Sequence, residues 1–184
     1  MDRRELLQMI AALTGCAFVG VDRLFAAALG SVTCTPAQVA LFDEIAETIL
    51  PRTDTPGAKD AQVGAYVARY ACACYTPANL AILFAGLDAL DARSREANGA
   101  DFMHSTSAQK QKLLAEIDAE AKHHARASGE RGGQPPHWFT LCKQLVLLGF
   151  FTSEAGATRV ARYRPVPGPY KGVVPYRGET FWAW

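Results

Sequence analysis

Residues 44–58 read EIAETILPRTDTPGA, and this stretch decides the fold because it ends one helix and turns the chain toward the next. Upstream, Thr35-Pro36 has the N-cap residue and the first-position proline that are typical of a helix start. Pro51 ends that helix, since proline lacks the N–H group that a helix interior requires. Between these points apolar residues recur at helical spacing and acidic residues fall on the other faces. The sequence therefore predicts a first helix between Thr35 and Pro51.

The connection that follows is rich in turn-forming residues. Pro56-Gly57 favours a type II turn, and Thr55 or Asp60 is expected to cap the next helix. The polar residues at its tip have two interpretations: they bond only to the local backbone, or they form a rigid surface that docks on a partner protein. The residues expected to face such a partner are Arg52, Thr53 and Asp54.

The rest of the chain predicts further helices. They are expected over residues 59–75, residues 78–98, from Ser105 or Ser107 to about residue 128, and from His137 to about residue 148, with a short sixth helix from Thr152. The fifth is apolar on most sides, as a central core helix or a subunit-contact helix would be. The predicted fold class is therefore all-α, with a single helical domain of about six helices over residues 35–162. An apolar leader helix over residues 1–30 and an extended tail over residues 163–184 complete the expected organisation.

The first 30 residues resemble an export leader. Arg3 and Arg4 precede an apolar run that ends at Asp22-Arg23, which is the layout of a positive region followed by a hydrophobic one. The arginine pair resembles the twin-arginine signal for exporting folded proteins, and it predicts a periplasmic location. The alternative is an ordinary amphipathic helix. Cys16 or the stretch Ala26-Ala27-Ala28 offers a site for acylation or cleavage.

Net charge and motif content argue against several classes of function. The formal net charge is +1, and no stripe of Lys and Arg with interleaved aromatic residues appears, so nucleic-acid binding is not expected. The sequence contains no phosphate loop, dinucleotide fingerprint or nucleophile elbow. The adjacent His123 and His124 lack the i, i+4 spacing of a helical metal site. We therefore assign no catalytic, cofactor-binding or metal-ligating residue in this chain.

Five cysteines leave at least one thiol without a partner in the same chain if the protein is exported. Cys72 and Cys74 are too close for an easy mutual disulfide, and their spacing does not match a C-x-x-C metal or redox motif. The plain interpretation is two small buried side chains on a helix. The alternative is a disulfide to another subunit, and the residues considered for it are Cys142, Cys72 and Cys74.

The C-terminal segment YRPVPGPYKGVVPYRGETFWAW, residues 163–184, differs in character from the rest of the chain. Its prolines exclude a helix, so it is expected to lie as extended chain on this domain, on a partner, or on both. Its aromatic side chains offer the large rigid contact area that is enriched at protein interfaces. The residues expected to dock on a partner are Tyr170, Tyr176, Phe181, Trp182 and Trp184.

Two stretches resemble a known family: residues 44–58, and Phe150–Glu154 leading into YRPVPGPY at residues 163–170. Together with the arginine pair, they are similar to the gluconate 2-dehydrogenase subunit 3 family from about residue 36 to the end of the chain. The resemblance implies a non-catalytic small subunit that aids the export, maturation and stability of a membrane-associated sugar, glycoside or sugar-acid dehydrogenase. It implies FAD in a partner flavoprotein of the glucose–methanol–choline type. It also implies that such complexes often contain a cytochrome c subunit with haem c, and that they associate with the inner membrane.

Two other functions stay open at this point. One is a freestanding enzyme or metal-binding module that uses His123, His124 and the cysteines. The other is a transient chaperone that leaves the dehydrogenase after export.

Overall fold

The computed structural model describes residues 33–131, 134–166, 168–169, 172–173 and 175–183. The predicted leader, with Arg3, Arg4 and Cys16, lies outside the described residues, and so do Tyr170 and Trp184 of the predicted tail. Residues from Cys34 onward belong to one compact unit.

The described chain is mainly helical and has almost no strand, which confirms the predicted all-α fold class. Its α-helices are α1 (Pro36–Ile49), α2 (Val63–Cys74), α3 (Pro77–Asn98), α4 (Ser107–Arg131) and α5 (Trp138–Phe151). A π-helical turn, Gly156–Val160, occupies the place of the predicted sixth helix. Two short strands, β1 (Arg162–Tyr163) and β2 (Trp182–Ala183), then pair in parallel.

Three of the helices begin where local capping predicts. Thr35 accepts a hydrogen bond from the Gln38 amide and Gln38 accepts one from the Thr35 amide, which completes a capping box. Thr76 caps α3 by accepting from the amide of Asn79. His137 caps α5 through its ring nitrogen Nδ1. These starts depend on residues within three positions of each other, so the sequence alone specifies them.

The start of α2 differs from the prediction. Neither Thr55 nor Asp60 caps it, and the helix begins at Val63 after Gln62, which has a left-handed φ of 52°. The carboxylate of Asp43, on α1, instead accepts a hydrogen bond of 2.9 Å from the amide of Gly64. The predicted cap is therefore wrong because the amide finds its acceptor on a neighbouring helix.

The core forms where α5 packs against each of the other four helices. This arrangement confirms α5 as the central helix. The side chains that are almost wholly shielded from solvent include Phe42, Ile45, Val63, Val67, Leu83, Leu90, Phe102, Ile117, Phe139 and Val146. Within the described part of the chain, no helix combines the length and the apolar character needed to cross a bilayer.

An ion network ties α1 to α4. Lys110 is only 8% exposed, and its ammonium donates to Glu44 Oε1 at 2.7 Å and to the Met103 carbonyl at 3.0 Å. Glu44 also pairs with Lys59, in the connection between α1 and α2. Burial opposes ionisation of Glu44, but the hydrogen bonds from Lys110 and Lys59 outweigh it and lower the pKa of the carboxyl group.

This lowered pKa predicts that the Glu44 network loses its stabilising effect in acid. A depressed pKa in the folded state contributes stability that is present above the unfolded-state pKa of about 4.3 and is lost as the pH falls through the folded-state pKa. We expect Glu44→Gln to lower the free energy of unfolding by about 1–3 kcal/mol at pH 7. The difference from the unmodified protein should shrink steadily below about pH 4.

The measurement is urea unfolding across that pH range, with Glu116→Gln as the control because Glu116 is an exposed acid on α4. A difference that stays constant down to about pH 3 would contradict this account of Glu44.

Candidate functional site

The connection between α1 and α2, residues 50–62, forms a closed polar loop that we call the α1–α2 loop. Its base is held by the Ala58 amide, which donates to the Leu50 carbonyl at 2.9 Å. The Ala58 carbonyl in turn accepts from the Val63 amide at 3.1 Å. Ala58 itself is fully buried, so the loop is pinned to the core.

One carboxylate holds both sides of the α1–α2 loop. Glu47, in the last turn of α1, accepts from the Arg52 amide at 2.9 Å through Oε1 and from the Lys59 amide at 2.8 Å through Oε2. Gly57 lies against this carboxylate, and a Cβ added there would come within 2.6 Å of Glu47 Oε1 and the Arg52 nitrogen. Glycine is required at this position by the close approach. The predicted type II turn is wrong, because Gly57 lacks the positive φ that such a turn needs.

The predicted docking residues of this loop lie together on its exposed face. Arg52 has a side chain that is 70% exposed and pairs with Asp60 at 3.2 Å. Thr53 donates to the Asp54 carboxylate at 2.9 Å, and both residues are exposed. The loop therefore presents charges of both signs on a backbone that is fixed by its hydrogen bonds to Glu47 and Leu50.

Arg159, on the π-helical turn, completes this surface and was not predicted. A shallow pocket of about 270 Å³ is lined by Arg52, Thr53, Asp54, Thr55, Pro56 and Arg159. A second pocket, of about 250 Å³, is lined by Arg159 together with Asp60 and Glu154. No local sequence signal links Arg159 to the loop, since the two are far apart in the chain and meet only through packing.

Three of the four histidines, His104, His124 and His137, contact neighbouring side chains. The rings of His124 and His137 lie 5.9 Å apart, and His137 is the N-cap of α5. Burial, together with the neighbouring His124, lowers the pKa of His137. His104 pairs with Asp101 at 2.6 Å. Among the residues that the structure describes, no group of three or more His, Cys, Asp or Glu side chains is arranged to hold a metal ion.

The three cysteines considered for an inter-subunit disulfide lie in different surroundings. Cys142 is fully buried, and this burial raises the pKa of its thiol to about 12. Cys72 is half-buried and faces Cys34 of the same chain. Cys74 is exposed. Of the three, Cys74 is therefore the thiol that another chain could reach without rearrangement.

The C-terminal tail has an anchored part. Arg162 donates from its amide to the Phe181 carbonyl at 2.9 Å, and its guanidinium lies 4.2 Å from the centre of the Trp182 ring. Phe181 packs edge-on against Phe151 with ring centres 5.5 Å apart. Two of the predicted docking residues, Phe181 and Trp182, thus bind their own domain, although each remains about half exposed.

Other apolar residues of the tail project from the domain. We call Val166, Val173 and Tyr176 the exposed arm, because their exposed fractions are 75%, 93% and 82%. Tyr163, at the start of the tail, is 51% exposed. The tail therefore combines an anchor that fixes its end with an arm that offers apolar surface.

A family model described as gluconate 2-dehydrogenase subunit 3 matches residues 36–168. This chain belongs to the gluconate 2-dehydrogenase subunit 3 family. The match spans the α1–α2 loop and Arg159, but it ends before Val173 and Tyr176, whereas the resemblance drawn from the sequence extended to the C-terminus. No curated protein shows a significant match to the chain, and no solved structure does either.

The two hydrogen bonds that Glu47 accepts from the loop backbone predict a graded loss of stability when Glu47 is replaced. Glu47→Ala removes both acceptors and should lower the free energy of unfolding by about 1–3 kcal/mol. Glu47→Gln keeps one acceptor oxygen and should cost roughly half as much. Urea unfolding measures both, with Glu116→Ala expected to stay within about 0.5 kcal/mol of the unmodified protein. Equal effects of Glu47→Ala and Glu116→Ala would show that the carboxylate does not hold the loop.

The contact between Phe181 and Phe151 predicts how the tail is retained. Phe181→Ala should raise the rate of tryptic cleavage within residues 163–183 roughly 2- to 10-fold, since an aromatic pair contributes about 0.5–1.5 kcal/mol. The thermal midpoint of the helical domain should change little. Val173→Ala is the matched control and should leave the cleavage rate as it is. Equal cleavage of both variants would mean that Phe181 does not anchor the tail.

Proposed function

We propose that this chain is the non-catalytic small subunit of an exported dehydrogenase complex. In this proposal an FAD-dependent partner of the glucose–methanol–choline type oxidises a sugar, a glycoside or a sugar acid. The observation that carries the proposal is the family match over residues 36–168, which names subunit 3 of gluconate 2-dehydrogenase. The small subunit stabilises the flavoprotein, assists its maturation, and travels with it under the direction of the Arg3-Arg4 leader. A cytochrome c subunit with haem c would accept the electrons in the periplasm, at the inner membrane.

The exposed arm is the first surface proposed to meet the flavoprotein. Val173 and Tyr176 are more than four-fifths exposed, so burying them against a partner removes apolar surface from water. Pro175, between them, restricts the chain before binding, which reduces the conformational entropy lost on docking. The anchor at Phe181 and Trp182 limits how far the arm moves from the domain.

The α1–α2 loop is the second proposed docking surface. Arg52 and Arg159 line one pocket with Asp54, so a partner surface with both acidic and basic groups would be complementary to it. Glu47 holds the loop backbone in place before any partner arrives. A preformed polar surface of this kind contributes more to orientation and specificity than to affinity.

Co-purification with the flavoprotein subunit tests the arm directly. The small subunit carrying Val173→Ser and Tyr176→Ser together should bind the flavoprotein at least about tenfold more weakly, since each buried apolar side chain contributes about 1.5–3 kcal/mol. Its own thermal midpoint should stay unchanged, because neither side chain packs on the domain. The flavin absorbance of the purified complex reports whether the catalytic subunit still holds FAD.

Met103→Ser is the matched control, because Met103 is another exposed apolar residue outside the tail. Full co-purification of the double variant would overturn the role of the arm. A pure, active flavoprotein that lacks the small subunit would instead favour the transient chaperone, and an active complex with both subunits in equal amounts would exclude it.

A further inference from the structure

Two cysteines that are distant in sequence meet at one end of the α1–α2 helix pair. Cys34 lies just before the N-cap of α1, and Cys72 lies in the last turns of α2. Their sulfur atoms are 2.8 Å apart. Both residues are half-buried and pack against the hydrophobic core, so the position of each sulfur is set by packing.

A second contact helps to define the position of the Cys34 sulfur. Cys34 Sγ also lies 3.5 Å from the carbonyl oxygen of Ala68, one helical turn before Cys72. The Cys34 sulfur therefore lies against the last turns of α2, near both Ala68 and Cys72. The separation of the two sulfurs is well below ordinary van der Waals contact, and a bonded pair stands at about 2.05 Å. To bond, the two sulfurs would have to come roughly 0.75 Å closer together.

We propose that Cys34 and Cys72 form an intrachain disulfide that ties the start of α1 to the end of α2. The α1–α2 loop already joins the opposite ends of these two antiparallel helices. The loop and the bond together would therefore link the two helices at both ends. It would join positions 38 residues apart in the sequence, and closing a loop of this size restricts the unfolded chain more than the folded one. This inference rests on the positions of the two sulfurs and is independent of the proposed partner.

The bond forms by thiol–disulfide exchange with a small-molecule disulfide such as oxidised glutathione. The thiolate of one cysteine attacks a glutathione sulfur, which breaks the S–S bond and releases one glutathione thiolate. The second cysteine thiolate then attacks the protein sulfur of the mixed disulfide and releases the other. Two protein thiols are oxidised, one glutathione disulfide is reduced, and the two protons from the protein thiols go to the two glutathione thiolates.

Burial, with a further contribution from the adjacent Cys72, raises the pKa of Cys34 to about 12. The Cys34 thiol therefore stays protonated at neutral pH, and exchange through it should accelerate as the pH rises. The other two described cysteines do not compete for this pairing. Cys142 is enclosed in the core, and Cys74 lies on an exposed part of α2.

Mass spectrometry of the full chain tests the proposal. The purified protein is treated with oxidised glutathione, its remaining thiols are alkylated under denaturing conditions, and peptides are mapped without reduction. We expect a linked peptide pair that joins Cys34 to Cys72, with Cys74 and Cys142 alkylated. Alkylation of both Cys34 and Cys72, or a link from either to another cysteine, would overturn the proposal.

Thermal melting supplies a second measurement. The oxidised protein should melt roughly 5–15 °C above the same protein treated with a reductant. Cys34→Ser and Cys72→Ser should each abolish this difference, whereas the matched control Cys74→Ser should keep it. If a serine variant fails to fold, the oxidised and reduced forms of the unmodified chain still decide the question, and equal melting temperatures for them would count against a stabilising bond.

Discussion

The α1–α2 loop depends on one carboxylate. Glu47 accepts hydrogen bonds from the backbone on both sides of the loop, at Arg52 and at Lys59, and Gly57 leaves room for this approach. The position of the loop is therefore set by α1, through Glu47, together with the backbone hydrogen bond between Ala58 and Leu50. Since Ala58 is buried at the base of the loop, the same constraint fixes the entry into α2. Asp43 and Glu44 extend the pattern to the start of α2 and to Lys110 on α4.

This constraint separates residues that maintain the fold from residues that are exposed to solvent. The acids of α1 are occupied with backbone amides and lysines, while Arg52, Thr53 and Asp54 point outward above them. The tail divides in a similar way. Phe181 and Trp182 pack on Phe151 and Arg162, whereas Val173 and Tyr176 are exposed to solvent. A subunit that acts through its surface benefits from such rigidity, because less conformational entropy is lost when it binds.

The family match covers the α1–α2 loop but only part of the exposed arm. It includes the whole α1–α2 loop and Arg159 but stops at residue 168. The loop therefore lies within the part of the chain that the family model matches, whereas Val173 and Tyr176 of the exposed arm lie beyond it. The Cys34–Cys72 pair straddles the other end of the match, since Cys34 precedes residue 36 and Cys72 lies inside the matched range.

The sequence alone determined the helical class, the starts of α1, α3 and α5, and the family, because helix caps and apolar periodicity depend on residues a few positions apart. The same local rules failed at the start of α2, where Asp43 acts from another helix, and at Gly57, where close packing rather than φ requires glycine. Only the tertiary structure placed Arg159 beside Arg52 and Cys34 beside Cys72. These pairs are separated by many residues, so no local pattern records their proximity, and the packing of the helices alone brings them together.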